Sequence, residues 1–230
     1  MHIQDIQFRP NLLNVRRWIA YFDLLGIRRL LDEGKEAQVF HAYQEAIERC
    51  QTGSVELRQA WLSDTFLIVA PDDSAGSFNS IDRACRYFLY FLIQARIPLR
   101  GAISCDRLYA DFDARVIFGS ALIEAYEYGE GQDWLGFLVC PSALRRLDAL
   151  DHPLNHYYSN WQIPWKRRPF NAPDTLPACM IGNEVHPTNT CVPKLREMME
   201  HKDVRKIEDI RKKYERTLAF LEANPRPGNG

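Results

Sequence analysis

The chain has 230 residues, of which 46% are hydrophobic and 26% charged, a composition typical of a globular protein with one domain or a domain with an elaborated end. The formal net charge of −1 and a longest apolar run of seven residues (YFLYFLI, 87–93) predict neither nucleic acid nor a membrane as a partner. The six cysteines are spread singly and the first ten residues lack the order of a secretory signal, so we expect a reduced, cytoplasmic protein.

Runs of bulky residues bounded by turn residues predict strands, and apolar residues spaced by three and four predict helices. Up to residue 150, the predicted elements are a strand at 15–24, a helix at 36–50, two strands within 55–71, a helix at 81–95, strands at 97–104 and 109–119, a helix at 120–128, a strand at 134–140 and a helix at 141–150. Ser63 and Asp64 suit the turn between the two strands within 55–71. This order predicts an α+β fold in which helices cover a largely antiparallel sheet.

The pattern changes after residue 150. Residues 151–193 are rich in Pro, Asn, Trp and His without a clear period, so we expect an irregular extension packed on a core formed by 1–150. Residues 194–223 are mostly good helix formers, and we expect one amphipathic helix there and a disordered tail at 224–230. Its predicted apolar stripe consists of Val204, Ile207, Ile210, Tyr214, Leu218 and Leu221.

Two acids interrupt apolar runs in similar contexts. Asp23 lies in AYFDLLGI and Asp64 in WLSDTFLIVA. An isolated carboxylate is costly to remove from water, so each acid is expected to have a partner. In a sheet of this order, the end of the first strand can lie beside the tip of the hairpin, where a divalent cation would relieve the repulsion between two carboxylates. The alternative is that each is a turn acid or a helix N-cap at the end of a strand.

Four motifs then come in the order and context of a known family. They are YFDLLG, SDTFLIVA, RGAIS and VIFGSALIEAYE. Together, over roughly 15–145, they resemble the class III nucleotide cyclase domain, and the second and fourth resemble most closely the bacterial pyrimidine cyclases of Pycsar anti-phage defence. The resemblance implies a ferredoxin-type antiparallel sheet covered by helices, with residues 1–150 as the catalytic domain and 151–193 and 194–223 as extensions.

The resemblance also implies the site residues. Asp23, Asp64 and the main-chain carbonyl of Leu24 would hold two Mn²⁺ or Mg²⁺ ions. Phe22, Leu25 and Gly26 would bind the substrate, with backbone amides around Leu25 and Gly26 on the triphosphate. The active site would form between the two protomers of a homodimer.

Four positions depart from the pattern of purine cyclases. Ala60 and Val116 stand where purine cyclases read the base with polar groups, which favours a pyrimidine substrate. Ile123 and Glu127 stand where the family has a transition-state Asn and Arg, and there is no Asn or Arg between Ser120 and Gln132.

Arg100, at the start of RGAIS, is the remaining cation near these motifs. It is a candidate catalytic and substrate-binding residue that would face the base or the phosphates. The alternative for Arg100 is a salt bridge to a nearby acid. Lys166, Arg167 and Arg168 form a basic run that we interpret as a solvated surface.

The sequence therefore predicts a metal-dependent cyclase that converts UTP, or CTP, to the 3′,5′-cyclic monophosphate and pyrophosphate, with cyclic UMP favoured over cyclic CMP by general resemblance. Synthesis of a second messenger in anti-phage defence is implied by the same resemblance. One alternative is a purine nucleotide cyclase. The other is a catalytically inactive cyclase-homology domain that binds a nucleotide or a protein, an interpretation favoured by Ile123 and Glu127.

Overall fold

The computed structural model describes residues 15–50, 55–180 and 191–224. Its strands are β1 (Arg16–Leu24), β2 (Arg58–Leu62), β3 (Thr65–Val69), β4 (Leu99–Arg107), β5 (Tyr109–Asp111), β6 (Val116–Phe118), β7 (Gly136–Val139), β8 (Tyr158–Gln162) and β9 (Thr175–Cys179). Its helices are α1 (Ile27–Asp32), α2 (Glu36–Cys50), α3 (Ala75–Gln94), α4 (Ser120–Gly131), α5 (Pro141–Ala149), α6 (Cys191–Met199), α7 (Lys202–Lys206) and α8 (Glu208–Ala223). The predicted elements before residue 150 are confirmed in type and order, apart from the strand at 109–119.

Seven strands form one sheet in the order β2-β3-β1-β4-β7-β9-β8, and β5 and β6 form a separate hairpin. The neighbouring strands of the large sheet are antiparallel except for β4 and β7, which are parallel. The predicted α+β fold with a largely antiparallel sheet is therefore confirmed.

The alternation of side chains along β1 separates two cores. Trp18 and Phe22 belong to the larger core, which also contains the buried residues of α3. Ile19 and Tyr21 point to the opposite face, where a smaller cluster includes Ala121 of α4. Because β1 is covered on both faces, nearly all of it is buried, which explains why its sequence is a continuous apolar run.

Two predicted elements differ from the structure. Residues 109–119 form the β5–β6 hairpin, in which the Asp111 carboxylate accepts a hydrogen bond from the Ala114 amide at 3.0 Å and turns the chain. Residues 194–223 form parts of three helices, α6, α7 and α8, instead of one. Ile207, with φ −110° and ψ 102°, is extended at the start of α8 and is 48% exposed, so it does not belong to a buried stripe. Val204, Tyr214, Leu218 and Leu221 are buried as predicted.

The expectation of an irregular extension at 151–193 is wrong for two segments. Residues 158–162 and 175–179 form β8 and β9, and Leu138 of β7 pairs with Ala178 of β9. The extension therefore continues the central sheet. The boundary at residue 150 stays a prediction, and the tail predicted from 224 lies, after Asn224, outside the described residues.

None of the helices in the described part of the chain combines the length and the apolar character that a membrane-spanning helix requires.

Candidate functional site

Asp23 has a cation as its partner, and that cation is Arg100. The two residues stand directly opposite each other in the antiparallel register of β1 and β4. Arg100 donates from Nε at 2.9 Å and from Nη2 at 2.8 Å, in both cases to Oδ2 of Asp23. Both residues are buried, at 7% and 4% exposure. The salt-bridge alternative for Arg100 is thus what the structure shows, and the guanidinium does not face open space for a base or a phosphate.

A second acid, Glu130 at the end of α4, completes the environment of Arg100. Its Oε2 accepts from Arg100 Nη2 at 2.8 Å and lies 3.5 Å from Lys166 Nζ, and its Oε1 accepts from the Tyr21 hydroxyl at 3.2 Å. Arg100 Nη1 donates to the main-chain oxygen of Gln132 at 2.7 Å. We call Tyr21, Asp23, Arg100, Glu130 and Lys166 the Arg100 cluster.

Burial shifts the ionisation of this cluster. Removal from water and the adjacent Glu130 carboxylate raise the pKa of Asp23 to about 6, although Arg100 opposes the shift. Burial also opposes ionisation of Glu130, but hydrogen bonding with Asp23 and the charges of Arg100 and Lys166 lower its pKa overall. Of the two acids, Asp23 is therefore the one that binds a proton first as the pH falls.

Asp64 lies beside the end of β1, in an environment different from that of Asp23. It occupies the turn of the β2–β3 hairpin and is exposed. Its main-chain oxygen accepts a hydrogen bond from the Leu24 amide at 2.8 Å, and the next residue, Thr65, pairs with Asp23. The structure thus brings the ends of the two acid-bearing strands together, with one acid buried and the other in contact with solvent.

The donor chemistry at this end of the sheet fits a hard divalent cation. Two carboxylates and a main-chain carbonyl, from Asp23, Asp64 and Leu24, are oxygen ligands of the kind that Mg²⁺ or Mn²⁺ takes before completing its shell with phosphate oxygens and water. Among the described residues, no group of three or more His, Cys, Asp or Glu side chains is placed to hold a metal, so a cation here would need phosphate oxygens or water as further ligands. Asp23 must lose its proton before it can act as a ligand.

The residues assigned to substrate binding differ in their accessibility. The Phe22 side chain is completely buried, with its ring centroid 5.8 Å from that of Phe137, so its side chain cannot contact a substrate. The Leu25 amide already donates to the Pro98 carbonyl at 2.7 Å and is not free to hold a phosphate. Gly26 is exposed at the start of α1 with a left-handed φ of 74°, and a methyl group there would meet nothing within 4 Å. Close approach of a ligand to Gly26 stays a prediction.

A cavity of about 970 Å³ adjoins the Arg100 cluster. Its lining residues come from three sources: β1 and β3 (Tyr21, Thr65, Leu67), α4 and its end (Leu122, Ile123, Tyr126, Glu127, Glu130, Gly131), and the extension (Lys166, Arg167, Arg168, Pro169, Phe170). Its size is within the range of small-molecule sites. The basic run that we interpreted as a plain solvated surface is therefore one wall of this cavity.

Of the four positions that depart from the family pattern, three lie at or beside the cavity. Ile123 and Glu127 line it directly. Ala60 on β2 is paired with Leu67, a lining residue, and shares its face of the sheet. Val116 lies on the β5–β6 hairpin, which does not line the cavity.

Sequence reasoning missed Glu130, Gln132 and the position of the basic run. Glu130 lies near the end of a helix that carries two other acids, Glu124 and Glu127, and nothing in its spacing distinguishes it from a solvated residue. Gln132 is completely buried, and its side-chain nitrogen donates to the main-chain oxygens of Gly101 and Tyr128 at 2.8 and 2.9 Å. All of these placements depend on contacts between elements far apart in the chain.

No protein-family model and no curated protein sequence matches the chain. Among solved structures, the chain is similar to the catalytic core of a rhodopsin-guanylyl cyclase with converted specificity in complex with ATPαS, at 9% identity and a TM-score of 0.53, over 72% of this chain and 94% of that one. It is also similar to the adenylyl cyclase CyaB from P. aeruginosa, at 12% identity over 74% of this chain and 96% of that one, with a TM-score of 0.49. The second TM-score is below 0.5, so the fold assignment depends on the first. The chain has the class III nucleotide cyclase fold.

Proposed function

We propose that this protein is a metal-dependent nucleotide cyclase that converts UTP or CTP to the 3′,5′-cyclic monophosphate and pyrophosphate, with UTP the favoured substrate. The observation that carries the proposal is the hydrogen bond from the Leu24 amide to the Asp64 carbonyl, which places Asp64 beside the end of the strand that bears Asp23. Two acids at adjacent strand ends on a cyclase fold are suited to a cation bound to a triphosphate.

In the proposed reaction, the ribose 3′-oxygen forms a bond to the α-phosphorus, the bond from that phosphorus to the β-phosphate oxygen breaks, and pyrophosphate leaves with the 3′-hydroxyl proton taken up by solvent. Asp23, Asp64 and the Leu24 carbonyl would hold Mg²⁺ or Mn²⁺, which lowers the pKa of the hydroxyl and binds phosphate oxygens. Arg100 orients the Asp23 carboxylate through two hydrogen bonds. We therefore treat Arg100 as a positioning residue.

The apolar character of the β2–β3 face supports a pyrimidine preference. Ala60 and Leu67 are cross-strand neighbours beside the cavity, and neither side chain can hydrogen-bond to a purine edge. A site that selects a purine by hydrogen bonds would lose discrimination here. A purine cyclase with a different set of base contacts is the alternative within this class.

Exposed apolar groups at the cavity support a homodimer in which a second copy completes the site. Ile123, Tyr126 and Phe170 all line the cavity, and they are 58%, 51% and 91% exposed. Large apolar side chains clustered around one opening are typical of an interaction surface. We propose that the partner is a second copy of this chain.

A second candidate function is a cyclase-homology domain without activity that binds a nucleotide or a protein. One observation favours it: the wall formed by α4 presents Ile123 and Glu127 to the cavity, and neither can stabilise charge that develops on a phosphate.

The test combines the four ribonucleoside triphosphates with Mn²⁺ and identifies products by mass spectrometry. We expect cyclic UMP as the main product, and a loss of at least about a hundredfold in Asp64→Ala, because a catalytic metal contributes several kcal/mol. Asp64 is the better first target because it is exposed, whereas a change at Asp23 disturbs a buried ion pair. Asp148→Ala, which removes an exposed carboxylate from α5, is the matched control and should retain full activity.

Three results would contradict parts of the proposal. Full activity in Asp64→Ala would remove Asp64 from the metal site. Cyclic AMP or cyclic GMP as the main product would contradict the pyrimidine preference. The absence of product from every triphosphate, with a folded wild-type protein, would contradict cyclase activity and favour the second candidate.

A further inference from the structure

The basic run of the extension is fixed to the end of α4 by its backbone. The amides of Lys166 and Arg167 both donate to the carbonyl of Gly131, at 2.9 and 3.1 Å. The Asp133 amide donates to the Pro164 carbonyl at 2.7 Å, so the two segments run side by side. A side chain at Gly131 would collide with the Arg167 carbonyl oxygen, which shows how closely the segments approach. The cationic side chains therefore project from a backbone with a defined position at the cavity wall.

The three cations of this run differ in what they already bind. Arg168 donates to Asp174 at 2.7 Å and to the Ala172 carbonyl at 2.6 Å. Lys166 lies 3.5 Å from the Glu130 carboxylate. Within residues 15–50, 55–180 and 191–224, the Arg167 guanidinium is exposed and has no hydrogen bond or ion pair. Arg167 is the cation of this wall that is available to an anion.

The acids of the cavity define where such an anion would lie. Glu130 is balanced by Arg100 and Lys166, whereas Glu127 faces the cavity from α4 without an ion-pair partner among the described residues. Glu127 therefore repels a phosphate from the α4 wall. The wall formed by the extension, with Arg167, attracts it. In this cavity, α4 carries the negative charge and the extension carries the positive charge. A cavity in which α4 supplied the cation would have the opposite arrangement.

We propose that Arg167 binds the phosphates of the nucleoside triphosphate and supplies the cation that α4 lacks. This inference rests on the proposed function and extends it to a residue outside the region of the family resemblance. An arginine suits the role because its planar group offers paired donors that match two phosphate oxygens. The extension thereby becomes part of the substrate site.

The experiment measures binding by isothermal titration calorimetry with three probes: inorganic tripolyphosphate, uridine, and a UTP analogue that cannot be cyclised. Arg167→Gln should weaken binding of tripolyphosphate and of the analogue by about tenfold or more, as expected for one lost charge-assisted hydrogen bond. Binding of uridine, which carries no phosphate, should be unchanged. Arg211→Gln is the matched control, because it removes an exposed arginine charge from α8, away from the cavity lining.

The outcomes separate this inference from the proposed function. If Arg167→Gln loses tripolyphosphate affinity but the wild type cyclises no triphosphate, the phosphate site stands and the proposed activity is wrong. If the wild type cyclises UTP and Arg167→Gln keeps the wild-type KM and tripolyphosphate affinity, the activity stands and the role of Arg167 is overturned. An equal loss in Arg211→Gln would also overturn it, since the effect would then be one of net charge.

Discussion

The carboxylate of Asp23 lies inside a buried strand because Arg100 supplies a cation that compensates its charge. Arg100 stands directly opposite Asp23 on β4. Its guanidinium also donates hydrogen bonds to the Glu130 carboxylate and to the main-chain oxygen of Gln132, so the buried positive charge has several acceptors. Removing one partner of a buried ion pair costs about 3–5 kcal/mol, because the other charge is left uncompensated. A substitution of Arg100 is therefore expected to lower the stability of the fold, and a loss of activity in that variant would not by itself assign a catalytic role to Arg100.

The pH dependence of stability should report the proton on Asp23. The pKa of this group is raised from 3.8 to about 6 by burial, so the folded protein binds the proton more tightly than the unfolded chain does. The contribution of Asp23 is fully present below pH 3.8 and is lost as the pH rises through about 6. Asp23→Asn mimics the protonated acid at every pH, so the difference in free energy of unfolding, variant minus wild type, should become more positive from pH 4 to pH 7 whatever its value at pH 4.

Urea unfolding at pH 4, 5, 6 and 7 measures this difference directly. Asp148→Asn, which changes an exposed acid on α5, is the matched control for the removal of one carboxylate. A pH-independent difference between Asp23→Asn and the wild type, or a change in the opposite direction, would contradict a raised pKa of Asp23.

The need for a partner at Asp23 could be predicted from the sequence, because an acid between apolar neighbours in a strand is costly. Arg100 was identified as a cation near the site, yet its orientation could not be predicted. Orientation depends on the register of β1 against β4, which pairs residues 77 positions apart. Glu130 and Arg167 could not be predicted because their roles follow from where the end of α4 meets the extension.

At the scale of elements, α4 can reach the cluster because it packs almost directly on the sheet. Gly129 on α4 faces the ring of Tyr21, and the Gly101 backbone lies beneath it. With no side chain on either glycine, the helix approaches closely enough for Glu130 to bind Arg100. The distance between α4 and β4 thus controls whether the cluster forms.

Gly129→Ala should destabilise the protein. Its methyl group would lie 2.6 Å from Cδ1 of Tyr21, so helix or ring must move, and overpacking of this kind costs about 1–3 kcal/mol. Gly76→Ala on α3 is the matched control, because its methyl group would meet only the Ser74 hydroxyl at 3.9 Å. That change should be neutral or should stabilise by up to about 1 kcal/mol, because alanine loses less conformational freedom than glycine in a helix.

Chemical denaturation of both variants provides the measurement. Equal stability of Gly129→Ala and Gly76→Ala would show that α4 has free space above the sheet, contrary to the packing described.

The elements that sequence periodicity predicted well are those with a single partner face or a continuous buried run, such as α2, α3 and β1. Periodicity failed where a short turn interrupts a uniform pattern. The chain is extended at Ile207, but the apolar residues on both sides keep their spacing of three and four. The sequence therefore predicts one continuous helix where the structure has α7 and α8. The β5–β6 turn depends on one carboxylate, that of Asp111, which bonds to the Ala114 amide within its own hairpin.

At the scale of the whole molecule, the extension is continuous with the first 150 residues. Tyr158 of β8 donates to the buried Asp82 of α3 at 2.6 Å, and its ring packs against Phe137 of β7. Phe220 of α8 packs against Trp134, with ring centroids 5.0 Å apart. The sequence does not reveal β8 and β9, because both are short, β8 is rich in polar residues, β9 contains a proline, and β9 pairs with β7, about 40 residues earlier.

A fragment that ends at residue 150 should therefore fail to fold cooperatively. It would leave β7 as an open edge and expose Trp134 and Phe137, which are almost completely buried in the full chain. A fragment with a sharp unfolding transition at the wild-type midpoint, measured by circular dichroism in urea, would contradict the continuity of the two regions.

In the full chain, Tyr158→Phe should lower the free energy of unfolding by about 1–3 kcal/mol, because the Asp82 carboxylate loses a buried donor. Urea unfolding of this variant beside the wild type measures the difference.

The hydroxyl of Thr217 on α8 accepts a hydrogen bond from the amide of Leu135 at 2.8 Å. During synthesis on the ribosome, Leu135 emerges about 80 residues before its partner, an interval of roughly 4–16 s at 5–20 residues per second. For that time, the backbone beside β7 has no α8 to bind it, and for about the first half of that time β9 has not been synthesised either. Nascent chains would therefore expose this strand to chaperones and to other chains, and slow codons before residue 217 would lengthen the exposure.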